Sequence, residues 1–345
     1  MSAWNPARRS ARSSSASEAV TSIPFRPYPL TSGGHRQTLL GYLLRRSLRW
    51  TLPAEDVVVD AGGGVCLLAR ASWQAGAREA SPALVLVHGL AGSDQATHAV
   101  AAARHAWARG WHVWRMNMRG AGDSETICAR LYNAGLDTDL LAIVREAARH
   151  TPRVAVAGFS LGAGLTMLTA GRRAAELPAE LRALAAVSPP LDLAACADAL
   201  DRPVNRVYSK NFLVDLCRSY RSRQRRLPDL YAAGLERGLR SIREYDDAIT
   251  ARYGGFQGAA DYYAQSSAGP HVARVDRPTL ILAAEDDPMI PGHSITRWPL
   301  PASGCVHREM LPTGGHVGFV APTRAPGRFW AAERVVDFLE EAVSA

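Results

Sequence analysis

The sequence lacks long apolar runs. No stretch of about 18 residues, the length that a membrane-spanning helix needs, is apolar throughout. The N-terminal residues include arginines but no apolar stretch after them, so a secretory signal peptide is not expected. We therefore predict no transmembrane segment and at most a weak peripheral contact with a membrane.

Cysteine is scarce. The chain has five cysteines, which are far apart, and none of them belongs to a CxxC pair. This odd number and wide spacing argue against a zinc site and against a disulfide framework. We expect reduced thiols in a cytoplasmic protein that binds neither a metal nor a cofactor.

Lysine is almost absent although the chain is basic. Lys210 is the only lysine among 40 Lys and Arg residues, and with 32 Asp and Glu residues the net charge is +8. The arginines are spread along the chain, whereas a nucleic-acid-binding surface would concentrate them in a localised patch. The excess of arginine and alanine fits a GC-rich coding bias. We therefore expect no nucleic-acid partner, and nothing in the sequence defines an oligomeric state.

Length and composition predict one α/β domain with an insertion. A chain of 345 residues with 47% hydrophobic and 21% charged residues is a folded globular protein large enough for one α/β unit and a cap. Residues 1–20 are rich in Ser, Ala and Arg and have no periodic apolar face, so we expect a disordered tail without chemistry. The core is predicted over residues 21–189 and 277–345, and a helical cap over residues 190–276.

Short, continuously apolar runs alternate with longer helical stretches in the core. This alternation is typical of a mostly parallel, doubly wound sheet covered on both faces. Strands predicted at 55–60 and 65–73, separated by three glycines, indicate an antiparallel hairpin. The other predicted strands are 83–88, 112–117, 153–158, 184–187, 279–284 and 306–311, and the predicted helices are 39–48, 96–109, 137–150 and 161–177.

The insertion contains no run of the sheet type. Its stretches 204–221, 227–237 and 241–252 have helical composition, so we expect a helical cap over the carboxyl ends of the strands. Six apolar side chains at the start of this cap are spaced so that they could form one apolar face: Val204, Val207, Tyr208, Phe212, Leu213 and Leu216.

One serine stands in a glycine-flanked turn directly after a predicted strand. The run Gly158-Phe159-Ser160-Leu161-Gly162 follows apolar residues and precedes a helix that opens with small residues. A G-x-S-x-G pattern in this strand-turn-helix context is typical of a nucleophile elbow, whose tight turn needs small neighbours and exposes the serine hydroxyl. Ser160 is therefore the candidate nucleophile.

A serine hydroxyl is a weak nucleophile unless a base takes its proton and an acid orients that base. Acids and a histidine follow Ser160 in this order, each after a predicted strand: the run Glu285-Asp286-Asp287-Pro288, and then His316 in a glycine-rich loop. We predict His316 as the base. Asp287, one residue before Pro288, is the preferred acid, and Asp286 stays open as the alternative.

Backbone amides beside the serine are candidates for an oxyanion hole. His88 ends a predicted strand and opens a glycine-containing loop, so we expect the N–H groups of Leu90 in this loop and of Leu161 after the serine to hold the oxyanion. Arg119 and Asp123, in a turn-rich run after strand 112–117, are interpreted as a structural ion pair.

Further motifs extend this pattern over the chain. Phe25-Arg26-Pro27 is followed by His35-Arg36-Gln37-Thr38, and similar runs continue through the core and the cap: His88-Gly89-Leu90, Met118-Arg119-Gly120, Leu131-Tyr132-Asn133-Ala134-Gly135, Glu244-Tyr245-Asp246-Asp247, Gly255-Phe256 and Asp261-Tyr262-Tyr263. Together they resemble the YheT-like α/β-hydrolases, a group related to the ABHD lipases, over residues 24–340. The resembling family has Tyr where Phe159 stands, Gly where Ala163 stands and Phe where Tyr245 stands. None of these departures removes a catalytic group.

The resemblance implies an α/β-hydrolase fold and the hydrolysis of small-molecule carboxylic esters, with short-chain esters or monoacylglycerols as expected substrates. It also implies that the catalytic serine, aspartate and histidine are Ser160, Asp287 and His316. We therefore predict a serine hydrolase that forms an acyl-enzyme without a cofactor. Two alternatives stay open: thioester or amide hydrolysis by the same residues, and a binding protein of this fold without catalytic activity.

Overall fold

The computed structural model describes residues 24–44, 48–323 and 328–345. Within them the strands are β1 Glu55–Asp60, β2 Cys66–Ser72, β3 Ala83–Val87, β4 His112–Asn117, β5 Val154–Phe159, β6 Leu181–Val187, β7 Thr279–Ala284 and β8 Val306–Leu311. They form one sheet in the order β1-β2-β4-β3-β5-β6-β7-β8. The pairs β1–β2 and β2–β4 are antiparallel, and the pairs from β4 to β8 are parallel. The predicted hairpin and mostly parallel sheet are confirmed.

Helices cover both faces of this sheet and fill the insertion. They are α1 Gly34–Leu43, α2 Thr97–Ala108, α3 Asp137–Ala148, α4 Leu161–Arg172, α5 Leu193–Asp201, α6 Arg206–Arg226, α7 Ile242–Tyr245, α8 Arg252–Gly254, α9 Ala259–Ser266, α10 Gly292–Thr296 and α11 Trp330–Ser344. A π-helical turn, Asp246–Ala251, joins α7 to α8. Short 3-10 turns lie at Arg78–Ala80, Gly122–Thr126, Ala174–Glu176, Pro203–Asn205 and Gly269–Arg274.

The core has two layers because the central strands are buried on both faces. Successive residues of a strand point to opposite faces, so Val85 packs into the cluster that contains α3 and α4, whereas Leu84 packs into the cluster that contains α2 and α11. Strands β3, β5 and β7 are buried along their whole length. This explains why they read as continuous apolar runs and not as alternating ones.

The first helix begins earlier than the sequence pattern predicts. We expected a helix over residues 39–48, but α1 runs from Gly34 to Leu43, and residues 45–47 lie outside the described residues. Gly33 precedes α1 with a φ of 112°, in the region that favours glycine. The two adjacent glycines therefore start the helix, five residues before the predicted start.

The insertion between β6 and β7 consists of helices and turns, with no strand among its residues. The helix predicted over residues 227–237 is wrong, because this segment forms consecutive turns. Gly234 has a φ of 87°, which interrupts helical geometry, and the hydroxyl of Tyr231 donates to the carbonyl oxygen of Ala129 at 2.6 Å. The predicted disordered tail, residues 1–20, lies outside the described residues.

The part of the chain that the structure describes contains no helix with the length and apolarity needed to cross a membrane.

Candidate active site

Ser160 lies in a sharp turn between β5 and α4. Its φ of 53° is in the left-handed region, which non-glycine residues rarely adopt. A Cβ added to Gly158 would lie 2.3 Å from the carbonyl oxygen of Gly162, and one added to Gly162 would lie 2.5 Å from the carbonyl oxygen of His88. The turn therefore requires both glycines, as the nucleophile-elbow pattern predicts.

His316 connects Ser160 to an acid. The Oγ of Ser160 is 2.8 Å from Nε2 of His316, and Nδ1 of His316 is 3.0 Å from Oδ2 of Asp287. Because a carboxylate only accepts hydrogen bonds, these partners assign the imidazole proton to Nδ1 and leave Nε2 free to accept the serine proton. The structure thus brings together the three side chains that the sequence analysis selected.

The two neighbouring aspartates have different partners. Asp287 accepts the N–H groups of Met289 and Ile290 on Oδ1, at 2.8 and 3.0 Å, and directs Oδ2 at His316. Asp286 accepts the N–H groups of Gly314 and Gly315 and the hydroxyl of Thr313, so it braces the loop that carries the histidine. Asp287, and not Asp286, contacts the imidazole.

The two amides predicted for the oxyanion hole both lie beside Ser160. Leu161 is the first residue of α4, so its N–H has no acceptor within the helix. The loop that carries Leu90 passes close to the serine, because a Cβ added to Gly89 would lie 3.1 Å from the Cβ of Ser160. Leu90, Leu161 and Ser160 line one cavity. Two donors at this position could stabilise a negative oxygen without reorganisation.

His88 is buried beneath this loop. Burial lowers the pKa of His88 to about 4, so the ring is neutral at physiological pH. Its Nε2 accepts the N–H of Met118 at 3.1 Å, which leaves Nδ1 to donate to the carbonyl oxygen of Gly89 at 2.8 Å. His88 therefore holds the loop of Leu90 against the end of β4 and does not act as a base.

Two cavities meet at the serine. The cap cavity, about 670 Å³, runs under the insertion, and its apolar lining comes from Leu193, Leu200, Phe212, Leu216 and Ile242. The α1 cavity, about 660 Å³, lies between α1 and α6. Both cavities are bordered by Ser160 and His316, so a substrate bound at the serine could occupy both.

The cap cavity contains a partly buried acid that the sequence analysis did not select as a site residue. Burial raises the pKa of Asp246 to about 6, against the smaller opposing effect of hydrogen bonds from Thr250 and Tyr263. These hydroxyls donate to its carboxyl group at 2.7 and 2.8 Å. Asp246 begins the π-helical turn, a local feature that is frequent at functional sites. The only sequence signal was its place in the run Glu244-Tyr245-Asp246-Asp247.

Arg119 and Asp123 do not pair with each other, contrary to our interpretation of the sequence. Arg119 forms a bidentate ion pair with Asp139 in the first turn of α3, and Asp123 forms an ion pair with Arg70 of β2. The turn-rich run lies between these partners, so each of the two residues ties it to a different element. Both contacts are structural, as expected, but the partners were wrong.

The described residues offer no ligand set for a metal. No group of three or more His, Cys, Asp or Glu side chains within them is arranged to hold a metal ion, and the five cysteines are free thiols.

Comparison with known proteins gives a consistent result. A family model described as alpha/beta hydrolase fold matches residues 82–321. "Putative esterase YheT" of Escherichia coli (strain K12) is 32% identical over 332 residues, 94% of this chain and 95% of that protein. "Monoacylglycerol lipase" of Saccharomyces cerevisiae is 26% identical over 76% of this chain and 60% of that protein. The solved structure of the Pyrococcus furiosus esterase Pf2001 is similar with a TM-score of 0.55 at 16% identity, covering 85% of this chain and 96% of that one.

Proposed function

The chain belongs to the YheT-like branch of the α/β-hydrolase family of enzymes, and on this premise we propose that it is a serine hydrolase that cleaves carboxylic esters. The observation that carries the proposal is the unbroken hydrogen-bond chain from Ser160 through His316 to Asp287, at 2.8 and 3.0 Å. A hydroxyl in such a chain can lose its proton as it attacks a carbonyl carbon.

The reaction proceeds in two halves. The Oγ of Ser160 bonds to the ester carbonyl carbon while its proton passes to Nε2 of His316, and Asp287 stabilises the imidazolium. The N–H groups of Leu90 and Leu161 hold the oxygen that becomes negative. The alcohol then leaves with the proton from His316, and the acyl group stays on Ser160. In the second half, water gives a proton to Nε2 of His316 and its oxygen bonds to the acyl carbon. The bond from this carbon to Oγ of Ser160 then breaks, His316 returns the proton to Oγ, and the acid is released.

The cavities support a medium-sized ester as the substrate. We assign the acyl group to the cap cavity, because its apolar lining from Leu193, Leu216 and Ile242 suits a hydrocarbon chain. The alcohol then lies in the α1 cavity. Short-chain esters and monoacylglycerols have this shape, and a related yeast protein is named monoacylglycerol lipase. In this proposal residues 190–276 act as the cap domain over a core of residues 21–189 and 277–345.

We further propose that the enzyme works in the cytoplasm, where the five free thiols would stay reduced.

The proposal is tested with p-nitrophenyl esters of graded chain length, a matching thioester and a matching amide. We expect Ser160→Ala to lower kcat/KM for esters by about 10³-fold or more, because catalytic residues of this kind act as a unit. The matched control is Ser294→Ala, which removes a buried serine hydroxyl that donates to the carbonyl oxygen of Pro291 and lines neither cavity. Ester turnover by Ser160→Ala above a tenth of the wild-type rate would show that another residue is the nucleophile.

A further inference from the structure

The motif His35-Arg36-Gln37-Thr38 has no part in the mechanism above. It lies in α1, which precedes residue 82, where the match to the family model begins. Among the described residues, α1 packs against the loop of residues 312–320, which follows β8 and carries His316. The helix therefore touches the catalytic loop from outside the region that matches the family model.

Thr38 forms a direct link to His316. The backbone N–H of His316 donates to Oγ1 of Thr38 at 2.8 Å. The hydroxyl of Thr38 in turn donates to the carbonyl oxygen of Gly34 at 2.7 Å, so its proton is committed and its oxygen is free to accept. The side chain is 6% exposed, and water cannot easily replace this acceptor. One hydroxyl thus fixes the backbone of His316 to the first turn of α1.

Gln37 holds the far end of the same loop. Its Oε1 accepts the N–H of Val320 at 2.7 Å, and its Nε2 donates to the carbonyl oxygen of Val320 at 3.4 Å and to Oγ1 of Thr31 at 2.8 Å. The side chain is fully buried. Gln37 and Thr38 therefore hold the loop at two points, at His316 and four residues later.

Glycines allow the two backbones to lie this close. A Cβ added to Gly34 would lie 1.7 Å from the carbonyl oxygen of Asp286, and one added to Gly315 would lie 2.3 Å from the carbonyl oxygen of Gly34. A Cβ on Gly318 would lie 2.7 Å from the carbonyl oxygen of Gln37. The helix and the loop consequently meet backbone to backbone and leave little room for adjustment.

The loop itself has a conformation that needs external support. Val317 and Phe319 have φ values of 52° and 39°, in the left-handed region that is unfavourable for side chains of this size. Such a conformation persists only where the surrounding structure enforces it. On the other side of His316, Asp286 accepts the N–H groups of Gly314 and Gly315. The loop is therefore held from both sides of the histidine.

We propose that Thr38, assisted by Gln37, is a positioning residue that holds the imidazole of His316 in line with Ser160. Thr38 borders the α1 cavity, but its hydroxyl is engaged by the backbone of Gly34 and of His316, so we assign its effect to the backbone of His316. This inference rests on the proposed function, in which His316 is the base.

The test compares Thr38→Val with Thr38→Ser. Valine keeps the shape of threonine but offers no acceptor, so the N–H of His316 loses its partner, whereas serine keeps the hydroxyl. We expect Thr38→Val to lower kcat for a p-nitrophenyl ester by about tenfold, the effect of one lost buried hydrogen bond, with KM within about twofold of wild type. The rate of labelling by a small fluorophosphonate should fall by the same factor. Thr38→Ser should restore both rates.

Thr169→Val is the matched control, because it removes a buried threonine hydroxyl that bonds to the carbonyl oxygen of Leu165 within α4 and lines neither cavity. It should leave kcat unchanged even if its melting temperature falls. If Thr38→Val does not fold, Thr38→Ala takes its place in the test. This variant removes the hydroxyl without adding a methyl group beside Gly315, and we expect the same loss of kcat.

Three results would overturn the inference: wild-type kcat and labelling in the folded Thr38 variant, an equal loss in Thr169→Val, or an equal loss in Thr38→Ser. The proposed function is judged separately, by the activity of Ser160→Ala and His316→Ala. If these two variants stay active, the hydrolase mechanism fails. If they are inactive while Thr38→Val is fully active, only the positioning role fails.

Discussion

Asp286 and Asp287 are neighbours with the same side chain, but their different hydrogen-bond partners give them different roles. Asp287 faces the imidazole of His316, whereas Asp286 accepts from Thr313, Gly314 and Gly315. Backbone N–H groups orient both carboxylates. Those of the turn after β7 bind Asp287, and those of the loop after β8 bind Asp286. At the scale of the residue, the site therefore depends on backbone donors as much as on the reacting side chains.

This division predicts opposite outcomes for two similar substitutions. Asp287→Asn should lower kcat on the order of 10⁴-fold at neutral pH, because an amide does not stabilise the imidazolium and can favour the wrong tautomer. Asp286→Asn should keep most of its kcat, because the amide oxygen can still accept hydrogen bonds from the N–H groups of Gly314 and Gly315. Steady-state kinetics with a p-nitrophenyl ester measures both variants, and the reverse ranking would make Asp286 the acid of the site.

Asp246 should make stability depend on pH. Its folded-state pKa of about 6 lies above the ordinary value of 3.8 because the carboxyl group is buried. The folded protein therefore holds this proton more tightly than the unfolded chain, and stability falls as pH rises from about 4 through about 6. A pKa difference of about two units lowers the free energy of unfolding by about 3 kcal/mol over this pH range.

We therefore expect Asp246→Asn to remove this fall in stability with rising pH. The free energy of unfolding in urea, measured at pH 4.5 and pH 7.5, should fall less with rising pH in Asp246→Asn than in the wild type. The nearby guanidinium of Arg243 favours the charged form and reduces the difference. An equal fall in both proteins would mean that Asp246 titrates in the folded protein as it does in the unfolded chain.

Among the elements, α6 differs most from what its sequence pattern suggests. The six residues that we expected on one apolar face separate in the structure. Phe212 and Leu216 line the cap cavity, Tyr208 borders the α1 cavity and Leu213 is buried. Val207 is 70% exposed, and Val204, in the 3-10 turn before α6, is 63% exposed. Spacing alone predicts a helix and an apolar stripe. The spacing does not predict that residues at the start of this stripe are exposed to solvent whereas those further along the helix line a cavity.

Phe212→Ala tests the role of this helix in specificity. Phe212 borders both cavities, so its removal should widen the space beside Ser160 and raise KM about tenfold for the chain length that the wild type prefers, shifting the preference to longer chains. Labelling by a small fluorophosphonate should not change. The matched control is Val204→Ala, which truncates an exposed side chain outside both cavities.

An unchanged chain-length profile in Phe212→Ala would mean that the loops around Leu90 and Arg119 set the specificity and that α6 only supports the fold.

The elements also show what the sequence could predict. Strands β4 and β7 have the predicted bounds, because buried strands leave a mostly apolar run between turn residues. The edge strand β8 also has the predicted bounds, although only Val306 in it is buried. The start of α1 and the turns at residues 227–237 were predicted incorrectly, because contacts with distant parts of the chain decide them. Gly34 lies in a helix where Asp286 leaves no room for a Cβ, and Tyr231 holds its segment to Ala129.

For the whole molecule, the glycine-flanked serine motif and the later strand ends with an acid and a histidine selected Ser160 and His316 and favoured Asp287 over Asp286. The fold brings them together because β5, β7 and β8 are parallel, so the loops after their carboxyl ends meet at one edge of the sheet. The partly buried acid Asp246 and the support from Thr38 were not predicted. Both depend on packing between segments that are more than 100 residues apart, as Thr38 and His316 are, or on a cavity that only the folded chain encloses.

In the proposed mechanism, Ser160 forms the covalent intermediate. The most direct test is to label the full chain with a fluorophosphonate, digest it and locate the modified residue by mass spectrometry, with Ser160→Ala and His316→Ala labelled in parallel. We expect one adduct, on Ser160, which is absent from Ser160→Ala and forms at least 10²-fold more slowly in His316→Ala, in line with the usual contribution of a general base. An adduct on another residue, or unmodified Ser160 in a chain that still hydrolyses esters, would contradict it.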